Sequence, residues 1–464
     1  MRIFPLLAAA LWVLNPAFSS AGSAGEGVIV RNERGIFSGE RVRGSRLFAN
    51  IAYAKPPTGK LRWRRTFLEH KARQLKTGVQ CPQIFHDFIP GKQLPISEDC
   101  LYLNVWAPAF DDGKKHPVIF FIHGGGLLAG SGIKEFYDGS VFAREGVVFV
   151  GFNYRLAELG YGPNLEKNPG SLGLIDQGLA LEWVIRNIAA FGGDPNSIYL
   201  MGHSKGAEAV TALAQSGLTG DEVKGGIAFS SPRHFEVGVS APQPAFWPGE
   251  QTESWEAILK KRAFRLYVPA LPSFKIPAET KQKFSLLASS IYDESAGKIQ
   301  IDIFCGILNS LEQFPSYIDA YFYIWHSPFR DHGGEVVNLF RQDNFGKVIL
   351  RHVLAFVRTG APARPTLGSA MRPWSEARSL MHVYPYLSFT SGYELPAVPA
   401  GEINKFSAIR SLCLSKELPG SKISRPLFEV EKILRWWRGP QPDLIDSSSM
   451  KGAIPLPPMA PPTL

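Results

Sequence analysis

The clearest pattern along this chain is a pair of short, unbroken apolar runs at residues 118–122 (VIFFI) and 147–152 (VVFVGF), each followed by turn-forming residues. Runs rich in β-branched and aromatic residues, with no polar alternation, predict strands buried on both faces, as in a parallel sheet. Between residues 174 and 188 the spacing changes. Leu174, Leu181, Val184, Ile185 and Ile188 fall on one helical face, and Gly192, Gly193 and Pro195 then stop the helix. A strand is expected at 198–201 and a helix at 207–213. Strand and helix in alternation need crossover connections, which predicts an α/β fold with a mostly parallel central sheet flanked by helices. No repeat or linker interrupts residues 25–435, so one domain is expected there.

Both ends depart from this pattern. Arg2, an apolar stretch over 3–13 and small residues over 19–24 read as a secretory signal peptide, residues 1–21, and predict a secreted protein. That stretch falls short of the ~20 apolar residues a spanning helix needs, so no integral membrane segment is expected after signal removal. Residues 436–464 run into GAIPLPPMAPPTL and suit a disordered or polyproline-like tail.

Composition adds less. A chain of 464 residues with 45% hydrophobic and 20% charged residues is ordinarily globular and long enough for a large core. The formal charge of +9 is mild, and the densest basic patch, residues 62–65, has Trp63 inside it, so no nucleic-acid partner is expected. Four cysteines in an oxidising compartment imply two bridges among three pairings. Nearness favours Cys81 with Cys100, leaving Cys305 with Cys413.

The chemistry lies after the predicted strands. Gly202-His203-Ser204-Lys205-Gly206 is a G-x-S-x-G sequence between a strand and a helix, the setting of a nucleophile elbow that exposes a serine on a sharp turn. By chance such a sequence would occur about 0.3 times in a chain this rich in glycine, so the setting carries the weight. His123-Gly124-Gly125-Gly126, directly after the strand at 118–122, is much rarer. Acyl transfer creates an oxyanion that must meet donors already in place, and glycine backbone lets N–H groups point inward unobstructed. Gly125 and Gly126, with the N–H of Lys205, are the expected donors. Neither a metal nor an organic cofactor is needed.

These motifs sit among blocks that resemble the type-B carboxylesterase and cholinesterase family. The blocks are AYAKPPTG at 52–59, SEDCLYLN at 97–104, NYRL at 153–156 and NIAAFGGDP at 187–195, in the family's order. The resemblance implies an α/β-hydrolase fold, with Cys81–Cys100 closing a short loop and Cys305–Cys413 a long-range bridge. It also implies a triad in the order serine, acid, histidine. His332, in HGGEVVNLF, resembles the family's catalytic histidine, with His326 in WHSP as runner-up among His234, His326, His332, His352 and His382. The family's Asp-Glu-Gly acid block is not recognisable. Glu253, in TESWEAIL ahead of a helix-like stretch from Ala278, is the expected acid, and Glu294, in YDESAG, its rival.

The chain also departs from the family. The interval from Ser204 to His332 is shortened, and Pro242, Pro244 and Pro248 crowd the place where the acid-bearing strand should run. His203 and Lys205 flank the serine where the family has Glu and Ala. A Lys205 ammonium about 8 Å from His332 would oppose the catalytic imidazolium by about 2 kcal/mol at an effective dielectric near 20, and would favour the oxyanion. Losing the acidic neighbour disfavours cationic alcohols, and no tryptophan lies between Cys81 and Cys100 to hold a quaternary ammonium. The expected function is hydrolysis of neutral, apolar carboxylic esters through an acyl-enzyme on Ser204, with His332 as base and Glu253 orienting it. The alternative is a cholinesterase-like binding or adhesion module with impaired catalysis.

Overall fold

The two apolar runs become neighbouring parallel strands at the centre of a large sheet. The computed structural model describes residues 27–84, 89–161, 172–215, 220–230, 254–256, 284–291, 318–325, 334–342, 344–363 and 381–383. Its strands are β1 (Gly27–Asn32), β2 (Gly35–Val42), β3 (Ser45–Ala52), β4 (Tyr102–Pro108), β5 (His116–Ile122), β6 (Val148–Phe152), β7 (Gly193–His203), β8 (Val223–Phe229), β9 (Phe284–Ile291), β10 (Ile318–Trp325) and β11 (Met381–Val383). The helices are α1 (Ser140–Ala143), α2 (Ala157–Tyr161), α3 (Leu172–Asn187), α4 (Lys205–Gln215), α5 (Gly334–Arg341) and α6 (Asn344–Thr359).

The sheet order is β1-β2-β3-β4-β6-β5-β7-β8-β9-β10-β11. β1 to β4 pair antiparallel with their neighbours, and everything from β6 to β11 in that order is parallel. This is the expected mostly parallel α/β sheet. Strand alternation divides the core between its faces. Val118, Phe120, Ile122, Val150 and Leu200 pack with Leu181 and Val184 of α3 and with Ala207 and Val210 of α4. Ile119, Phe121, Phe149, Met201 and Ile227 pack with Leu339 and Phe340 of α5 and Val353 of α6. Burial on both faces explains why β5 and β6 read as unbroken apolar runs.

Helix α3 buries Leu174, Leu181 and Val184 as expected, with Ile185 partly buried, and continues as a 3₁₀ turn over Ile188–Phe191. Gly192 closes it with φ 91°, a left-handed conformation that glycine takes without Cβ strain. The family-like blocks turn out to be joints of this scaffold. Arg155 forms a fully buried bidentate pair with Asp176, at 2.7 Å from both Nε and Nη2. The Asn153 amide donates to the carbonyls of Val79 and Cys100, and Cys81–Cys100 is bridged, as expected. Cys305 and Cys413 lie outside the described residues, as do residues 1–21 and 436–464.

One local expectation needs correction. The helix-like stretch from Ala278 runs into β9, an inner strand paired with both β8 and β10. Leu286 and Leu287 are consecutive and both buried, one in each core, which a strand between two helical layers produces and a one-faced helix does not. Among the described residues no helix is long and apolar enough to cross a membrane.

Candidate active site

Ser204 stands between the last residue of β7 and the first of α4, with φ 55°, a conformation rare outside glycine. Its N–H donates to Phe229 O at 2.9 Å, and its carbonyl accepts from Glu208 N–H at 3.1 Å. The glycines beside it have steric reasons. A Cβ on Gly202 would lie 2.4 Å from the Gly206 backbone, and one on Gly206 would lie 2.1 Å from Ile122 O. Strand, turn and helix are thus pressed against the end of β5, and the serine is held in a strained bend of the nucleophile-elbow kind.

The same close approach joins the second motif to the first. A Cβ on Gly124 would lie 2.7 Å from His203 O and 3.0 Å from the Ser204 Cβ, so the glycine tetrad runs directly against the serine. Gly125 and Gly126 then take φ 120° and 67°. The Gly125 carbonyl is turned away to accept from Leu128 and Ala129 N–H, and Leu127 O accepts from Ala157 N–H. Among the described residues no acceptor engages the N–H of Gly125 or Gly126. Lys205, first in α4, has no intrahelical acceptor for its own. Backbone N–H groups left without an acceptor are the kind of donor that can bind an anion.

His123 is a structural member of this loop. Its ring is wholly buried and stacks on Tyr154 at 4.3 Å, its Nδ1 meets Gly124 O at 2.8 Å, and Tyr154 Oη donates to His123 O. Burial lowers the imidazole to about 4, against a smaller opposing effect of the Gly124 carbonyl, so the ring is neutral near pH 7.

Three partnerships were not visible in the sequence. The Lys205 ammonium pairs with the Glu208 carboxylate, which is 2% exposed. Burial raises the Glu208 carboxyl above its ordinary value, with Lys205 opposing that rise. Ser230, directly after β8, donates through Oγ to Glu335 Oε1, and both residues are buried. Trp255 packs against Trp63 and Leu159, which sets residues 254–256 beside α2. Helical spacing could have suggested the first; nothing in the sequence signals the others.

His332 and Glu253 lie outside the described residues, as do His234, His326 and Glu294. Their flanks are described. His332 comes shortly before α5, whose second residue is Glu335, and Glu294 comes shortly after the end of β9. His352 is buried on α6, where burial and then Arg351 lower it to about 4. His382 lies on β11.

A model of the carboxylesterase family matches residues 26–247. The chain is 40% identical over 210 residues to acetylcholinesterase-1 of Trittame loki, covering 42% of this chain and 38% of that protein. It is 41% identical over 183 residues to phenmedipham hydrolase of Pseudarthrobacter oxydans, covering 36% of each. It is 42% identical over 179 residues to cholinesterase of Mus musculus, covering 35% of this chain and 30% of that protein. The matched region thus spans between 30% and 38% of each relative's length. A solved thermophilic PNB esterase superposes with a TM-score of 0.60 at 21% identity, over 77% of this chain and 96% of its own. A second PNB esterase gives 0.56 over 77% and 96%.

Proposed function

The chain belongs to the type-B carboxylesterase and cholinesterase family of α/β-hydrolases, and from that premise we propose that it hydrolyses neutral, apolar carboxylic esters through an acyl-enzyme on Ser204. The observation that carries this reading is the contact between the two motifs, with Ser204 at φ 55° and the Gly124 backbone against its Cβ.

The proposed steps are those of acyl transfer through a serine. Ser204 Oγ attacks the ester carbonyl while His332 takes its proton. The carbonyl oxygen gathers negative charge and is met by the N–H groups of Gly125, Gly126 and Lys205. The imidazolium returns the proton to the departing alcohol, leaving the acyl group on Ser204. Water, deprotonated by the same imidazole, then releases the acid. His332 as base is supported by the Ser230–Glu335 hydrogen bond. Ser204 N–H is bonded to Phe229 O, Ser230 is the next residue, and Glu335 stands three residues beyond His332.

For the acid, what supports Glu294 over Glu253 is the strand before it. Parallel strands share one carboxyl-terminal edge, the edge where ligands bind in open α/β sheets. Ser204 follows β7 at that edge, and Glu294 follows β9 with two residues between. Secretion, with removal of residues 1–21, belongs to the same proposal and rests on the signal-like N-terminus.

An active-site-directed fluorophosphonate should add one covalent mass at Ser204, and Ser204→Ala should abolish both labelling and hydrolysis of a short aryl ester. Folded protein that stays unlabelled would refute the hydrolase reading in favour of the binding module.

A further inference from the structure

Lys205 and Glu208 lie in the first turn of α4, three positions apart and so on one helical face. Their side chains form a direct ion pair, 14% exposed on the lysine and 2% on the glutamate. Such a buried pair does little for stability that apolar residues of similar size would not do equally well. Its effect is on local charge, one residue from the nucleophile. Glu208 also closes the first helical hydrogen bond onto the Ser204 carbonyl, so the same residue is anchored to the elbow through its backbone.

An unpaired ammonium here would oppose the imidazolium of acylation. With Glu208 ionised beside it the first turn carries no net charge, as it would with two small neutral residues. We propose that Glu208 is a positioning residue that ties back and neutralises the Lys205 ammonium, so that Lys205 serves the oxyanion through its backbone N–H while its charge is kept from the catalytic base. This rests on the serine-esterase reading.

Helix α4 packs on β5, β7 and β8. At the elbow end these elements and their flanks carry His203 on β7, His123 just past β5, and Glu335 through Ser230 just past β8. His116, Asp194, Tyr199 and Lys224 lie along the same strands away from the elbow. Among these groups, the ion pair to Lys205 is made by Glu208.

The test follows fluorophosphonate labelling of the wild-type protein with profiles of kcat/KM against pH on a short aryl ester. Glu208→Gln should move the acid limb to lower pH by about one unit, the size expected for a unit charge roughly 10 Å from the base at an effective dielectric near 20. The double variant Lys205→Met/Glu208→Gln should return the limb to its wild-type position. A merely structural role would lower Tm without moving the limb. An unmoved limb in labelled Glu208→Gln overturns the proposal, and so does an equal shift in the double variant. If Glu208→Gln does not fold, Glu208→Ala is read instead: a shift in the same direction supports the proposal and none overturns it. Absence of labelling in the wild type overturns the esterase reading and this inference together, whereas labelling with an unmoved limb overturns this inference alone.

Discussion

Ser230 Oγ donates a hydrogen bond to the Glu335 carboxylate, and both side chains are buried. The bond links the end of β8 to the start of α5, the helix that follows His332 in the chain. Ser204 is bonded to the residue before Ser230, so two hydrogen bonds and one peptide bond connect the elbow to the foot of that helix. Ser230→Ala leaves a buried carboxylate without this donor, a loss on the order of 1–3 kcal/mol. We expect kcat to fall about tenfold or more with only a modest fall in Tm, measured by aryl-ester kinetics and a thermal melt. A kcat equal to wild type would show that the link does not govern the base.

The acid can be identified by comparing two variants. A triad whose acid becomes an amide loses orientation of the histidine, with a fall in kcat of about 10⁴-fold in the best-studied serine protease. Glu294→Gln is expected to lose on the order of 10³-fold or more, and Glu253→Gln less than about threefold. The reverse result would return the role to Glu253.

Gly124 and Gly206 leave no room for a methyl group. Gly206→Ala drives a Cβ against Ile122 O, so it should cost about 1–3 kcal/mol of stability. Gly124→Ala drives one against His203 O and the Ser204 Cβ, and should suppress labelling at Ser204 more than it lowers Tm. Urea unfolding and mass spectrometry after fluorophosphonate separate the two effects.

Acid should destabilise the fold through two histidines. Burial lowers His123 and His352 to about 4, below the ordinary imidazole value of 6.5. Between those values the unfolded chain binds protons that the folded one does not, so stability is full above about pH 6.5 and is lost as pH falls towards 4. Urea midpoints from pH 7 to pH 5 should fall accordingly. His352→Gln should reduce the proton dependence by about one.

Reduction of Cys81–Cys100 frees a short loop tied to Asn153 through the carbonyls of Val79 and Cys100. The chain-entropy model assigns such a loop about 3 kcal/mol. A reductant should lower the urea midpoint by a matching amount, and Cys100→Ser should reproduce the shift.

How much of this was legible in the sequence depends on the range of the interaction. β5, β6, α3 and the elbow announced themselves because continuous burial, helical period and glycine punctuation are local signals. β9 did not, because FSLLASSI mixes small polar residues with two leucines that serve opposite cores. Lys205 was readable as a charge beside the serine, with opposing effects on base and oxyanion. Its ion pair with Glu208 depends on side-chain geometry that the sequence does not give. Ser230 and Glu335 are 105 residues apart, and no local pattern marks two residues that meet only after the sheet has formed.

The ladder from β8 through β9 to β10 runs without a register shift, Gly225 to Phe229 against Ser285 to Ser289, and Phe284 to Ile291 against Ile318 to Trp325. The described pairing from β8 to β10 is therefore one continuous parallel frame. Neighbouring strand ends keep the spacing of about 4.8 Å that backbone pairing imposes. Residues that follow directly on those strands inherit that spacing from the frame.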